Sequence, residues 1–154
     1  MAIDIPAALK SLASAGSAIS ELSKCLKRSK GDSRALLSEL KNNLTYLDMV
    51  VDDDIELRQL IDQISSDEYQ RLSKNGFDFN SLKHKKISIY PSLKNTNLES
   101  WSGKSTEELI ENIYDKINDL KIRYPLVADK PNYRWKIRIN NIRKRIWLLL
   151  RHVR

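Results

Sequence analysis

The stretch YRWKIRINNIRKRIWLLLRHVR, residues 133–154, decides how this chain is read. It holds eight Lys/Arg and no acid. Trp135, Ile139, Ile142, Ile146, Leu149 and Val153 recur at steps of four and three. At 100° per residue they fall within about 80° of one another, which predicts an amphipathic helix over about 132–152 with one buried seam. Lys136, Arg143, Lys144, Arg145 and Arg151 take the flanks and back of that helix. Ile137, Trp147 and Leu148 point away from the seam, so this helix is expected to meet a second neighbour. That neighbour is another helix of the chain or a partner molecule. Trp147 stands one turn from both Arg143 and Arg151, within reach of cation–π stacking.

Working outward, the rest of the chain reads as helices too. Gly and Pro number only four each in 154 residues, too few for the turns of a β-rich fold. A first helix is expected over about 5–29, carrying Ile5, Leu9, Leu12, Ile19, Leu22 and Leu26, with small residues ASAGSA at 13–18. Gly31 is expected to end it, and Asp32 or Ser33 to cap the next. Leu36, Leu37, Leu40, Leu44, Leu47 and Val50 form a second seam, which resumes in phase at Leu57, Leu60, Ile61 and Ile64. No Gly or Pro lies between Gly31 and Gly76, so one long helix is expected over about 33–64, kinked at most near Asp53. Ser65 and Glu68 suggest a capping box for a short helix over about 66–74. Residues 77–104 are irregular and partly basic, and Ile87 and Ile89 form a short strand there or pin the loop to the core. Ser105 with Glu108 caps a helix over about 105–124, with Leu109, Ile110, Ile113, Ile117, Leu120 and Tyr124 on its buried face and Pro125 at its end. The expected fold is all-α: an up-and-down bundle of four long helices in a single domain, 1–154.

Composition narrows the function. No apolar stretch approaches the ~20 residues of a membrane span, and Asp4 sits where a secretory signal has its basic region. A single cysteine, Cys25, excludes an internal disulfide or a multi-cysteine zinc site, and reads as an inert core thiol. A cytoplasmic protein is expected. No metal or cofactor is implied. Net charge is +7, yet residues 131–154 alone carry +8, while the other 130 have nineteen bases against twenty acids. The basicity therefore belongs to the last helix, and it asks for an anion outside or acids inside. Lys83, Lys85 and Lys86 around His84 make a second basic cluster. SGKST at 102–106 lacks the earlier glycine of a phosphate-binding loop, since Leu98 stands there.

Three functions follow in order. The first is a non-enzymatic module for protein–protein contact, by self-association or docking, using Ile137, Trp147, Leu148 and the basic residues beside them. The second is nucleic-acid binding through Lys136, Arg143, Lys144 and Arg151, helped by Lys83, Lys85 and Lys86; no base-reading signature accompanies them. A membrane-surface role is disfavoured because the bundle claims the apolar face. The third rests on Arg145 and His152, the only candidate catalytic pair. Their R-x6-H spacing is similar to the Arg-x4–6-His of HEPN ribonucleases, which are small helical bundles. The resemblance implies metal-independent RNA cleavage, with His152 as acid/base and Arg145 stabilising the phosphorane. It covers two residues, and apolar Ile146 stands where that family carries a polar side chain.

Overall fold

A computed structural model describes residues 17–154. Among them the chain is an all-α bundle with no strand. The helices are α1 (Ser17–Arg28), α2 (Gly31–Asp52), α3 (Leu57–Leu60), α4 (Asp67–Lys74), α5 (Thr106–Val127) and α6 (Trp135–Val153). The expected first helix is thus seen from Ser17 onward; its Ile5, Leu9 and Leu12 positions lie outside the described residues.

The seams pack as their spacing requires. Leu22 and Cys25 of α1, and Leu36, Leu37, Leu40, Leu44, Leu47 and Val50 of α2, are buried in one continuous core. On α5, Leu109, Ile110, Ile113, Ile117 and Leu120 join it. Helix α6 packs against α1, α2 and α5, and so is the hub of the bundle. From Ile142 to Leu150 every side chain except Arg145 is buried. Trp147 and Leu148, which lie off the Trp135–Val153 seam, are covered by the chain itself. A helix buried on all sides belongs in the middle of a fold, whatever its charge.

Four local expectations are corrected. Residues 33–64 are not one helix. Helix α2 stops at Asp52, Asp54 turns left-handed at φ 54°, and the Ile55 N–H returns to the Met49 carbonyl at 3.1 Å. Three successive carboxylates crowd the negative end of the helix dipole, and aspartate tolerates the left-handed region better than most residues. The chain changes direction there without Gly or Pro, yet still delivers Leu57, Leu60, Ile61 and Ile64 to the core. Secondly, α2 opens at Gly31 (φ +57°) behind Lys30, and neither Asp32 nor Ser33 acts as its cap. Thirdly, α4 is capped from a distance. The buried Glu39 carboxylate of α2 accepts the N–H groups of Glu68 (2.8 Å) and Tyr69 (3.2 Å) and the Ser65 hydroxyl (3.1 Å), in place of a Ser65–Glu68 box. Fourthly, α5 runs through Pro125 to Val127. In the last turn the proline sacrifices a single backbone donor and the helix survives it.

The capping box at Ser105 forms: its hydroxyl accepts the Glu108 N–H at 3.2 Å, and the Glu108 carboxylate accepts the Ser105 N–H at 2.7 Å. The Ser105 bonds hold the Glu108 carboxyl below its ordinary value. Residues 77–104 make three 3-10 turns, Phe79–Leu82, Pro91–Leu93 and Glu99–Trp101. Ile87 pins this segment: it is buried and exchanges backbone hydrogen bonds with Gly103 and Lys104, whereas Ile89 is 81% exposed.

Candidate functional site

The basic helix keeps much of its charge inside the fold. The Arg143 guanidinium is buried and donates to Asp48 (2.7 Å) and Asp52 (3.3 Å) of α2 and to Asn140 (2.7 Å), and it stacks on the Trp147 ring at 4.9 Å. The acids that break α2 thus include the partners of α6. Burial holds the Asp48 carboxyl above its ordinary value in spite of Arg143. Lys136 pairs with Asp54 (3.2 Å), Arg138 with Asp119 (3.5 Å) and Arg154 with Glu21 (4.0 Å), all near the surface. Lys144 is buried. Arg151 lies over the Tyr90 ring at 5.1 Å rather than over Trp147.

Arg145 and His152 are each held by α5. Arg145 donates to Asn112 (2.9 Å) and to the Asn141 carbonyl (2.8 Å), both neutral, and burial lowers its pKa. His152 is buried with Nε2 at 2.8 Å from the Thr106 hydroxyl. That hydroxyl donates its one proton to the Lys83 carbonyl at 2.6 Å, so the imidazole Nε2 must be the donor. Burial, and then Lys83 and Lys85, hold His152 below its ordinary value. It is a neutral strut between α6, α5 and the loop. Lys85 and Lys86 are exposed beside it, and Lys83 is half-buried.

The structure brings together two surfaces of which the sequence marked only Ile137. One is a cleft of about 370 Å³ between α5 and α6, with Lys116 on α5 and Arg134, Ile137, Arg138 and Asn141 in its wall. The other is on the outer face of α5, where Ile122 is 67% and Leu126 75% exposed. They stand four apart, so they are neighbours on the helix. Ile122 is two residues from both Leu120 and Tyr124, hence about 200° from the buried seam. That phase is legible in sequence; it is hidden only by the habit of assigning every apolar residue to the core.

Among the described residues no helix is long and apolar enough to cross a membrane, and no cluster of three or more His, Cys, Asp or Glu is placed to hold a metal ion. No protein-family model, curated protein or solved structure matches the chain.

Proposed function

We propose that this is a non-enzymatic helical module for protein–protein contact, a cytoplasmic one, and that it associates with a second copy of itself through α5. The carrying observation is the exposed pair Ile122 and Leu126. Two such helices laid antiparallel about a two-fold axis set Ile122 against Leu126 twice. Four side chains at roughly 1.5–3 kcal/mol each yield about 6–12 kcal/mol. Association costs a comparable 4–15 kcal/mol. The two nearly cancel, so the contact is weak.

This surface takes over the role assigned to Trp147 and Leu148, which have no free face. Nucleic-acid binding along α6 ranks lower because Arg143 is committed to Asp48 and Asp52. The ribonuclease reading ranks lower still, with His152 buried and donating to Thr106. Sedimentation velocity over about 10–500 µM tests the proposal. The weight-average sedimentation coefficient should rise with concentration and stop rising in Leu126→Glu, at unchanged helicity. A strict monomer throughout, or an association that Leu126→Glu leaves intact, would sink it.

A further inference from the structure

In the cleft between α5 and α6 three cations meet one acid. Lys116 reaches the cleft from α5, Arg138 from α6, and Arg134 from the position just before α6. Among the described residues Lys116 and Arg134 have no carboxylate partner. Asp119 is the one acid in the wall, and it is already bonded by Arg123 at 2.6 Å while lying 3.5 Å from Arg138. Arg145 adds a fourth charge behind the wall, held only by neutral oxygens. Burial chiefly pushes Lys116 below its usual lysine value; Arg145 and, less, Arg138 add to it, while Asp119 opposes it. Arg138 also lies over the Tyr133 ring at 4.9 Å, whereas among the described residues Lys116 and Arg134 have no such contact. Arg143 shows what a structural arginine looks like in this chain, with two aspartates in contact.

The rest of the lining is not basic. Half-buried Ile137 offers apolar surface, while Leu120 and Ile142 behind it are core residues, and Asn132 and Asn141 offer amides. The Asn141 Oδ1 accepts from Asn97 at 3.3 Å, which leaves its NH2 group as a donor to a ligand. A volume of about 370 Å³ lies in the range of small-molecule pockets. Clustered cations suit a phosphate, apolar surface suits a flat ring, and amides suit the polar edge of that ring. We propose that this cleft binds a nucleoside phosphate, with its phosphate between Lys116, Arg134 and Arg138 and its base against Ile137. The site is independent of the Ile122–Leu126 contact.

Titration calorimetry on the whole chain at about 50 mM salt tests it, with the four nucleoside monophosphates, adenosine, inorganic phosphate and a ten-residue oligouridylate as probes. At least one monophosphate should bind saturably. Adenosine should not bind, and inorganic phosphate should bind about tenfold more weakly. Lys116→Gln combined with Arg134→Gln should weaken the monophosphate at least about tenfold. Asp119→Asn should tighten it several-fold, a gain that a folding defect cannot imitate. Absence of saturable binding by all four monophosphates at about 5 mM overturns the proposal. So does equal affinity in the double glutamine variant, or binding of the oligouridylate without any monophosphate.

Discussion

Replacing Arg143 by Met removes the cation that α6 presents to α2 while keeping a long apolar stem against Trp147. The Arg143 side chain is 5% exposed, and its partners Asp48 and Asp52 are 24% and 50% exposed. Deleting one member of a buried pair costs about 3–5 kcal/mol, because the other is left charged without a partner. Half-exposed Asp52 can recover water, so the cost should sit near the lower end, at about 3 kcal/mol. For a chain of this length that is roughly 6–12 °C in Tm. The loss carries a pH signature. Burial already raises the Asp48 carboxyl, and Arg143 is what opposes it. Without Arg143 the folded-state pKa of Asp48 rises further above its unfolded value. An acid shifted upward contributes stability below its unfolded pKa and loses it as pH rises through the folded one. The variant's deficit should therefore be largest at pH 7 and shrink toward pH 4. Asp48→Asn added to Arg143→Met should restore part of the stability at pH 7. Urea unfolding followed by circular dichroism at both pH values measures all of this. A deficit below about 1 kcal/mol, or one that does not change with pH, would refute the placement of Arg143 as a buried, acid-matched charge.

Three further outcomes are expected. His152 is held below its ordinary pKa, so its contribution to stability is complete above about pH 6.5 and is lost as pH falls toward the folded-state value. Unfolding between pH 7 and 5 should show that slope, at most about 1.4 kcal/mol per pH unit for one proton, and His152→Gln should flatten it. Glu39→Ala removes the acceptor of three hydrogen bonds that begin α4; a cost of about 1–2 kcal/mol is expected, with amide exchange at Glu68 and Tyr69 accelerated more than in α5. Buried Cys25 should react with an aromatic disulfide reagent only at the rate of unfolding, and immediate reaction in the native protein would contradict its position against the core.

How much of this was legible beforehand depends on how local each cause is. The seam from Ile139 to Leu149 and the Ser105–Glu108 box rest on spacings of three and four residues, and both stand in the structure. The second apolar face of α6 was visible as well; what covers it was not, because α1, α2 and α5 converge on it from remote parts of the chain. The break at Asp53 escaped for a related reason. Asp52 and Asp54 read as a local interruption of a helix, but their pairing with Arg143 and Lys136 spans more than eighty residues. Glu39 was invisible as a cap of α4, since its acceptors work about thirty residues away. The candidate cleft is similarly non-local: Lys116 belongs to α5, Arg134 and Arg138 to the start of α6 and the residue before it, and only their packing makes a single wall.

The central claim is that the basic C-terminal helix is the hub of the core and not a free charged face. Native-state hydrogen exchange of its amides tests that most directly. If α6 is the hub, the amides of Ile146 to Leu150 should exchange only through global unfolding, with a free energy equal to that from urea unfolding and among the highest in the chain. Exchange of those amides at the rate of a frayed or peripheral helix, well below the global value, would contradict the account.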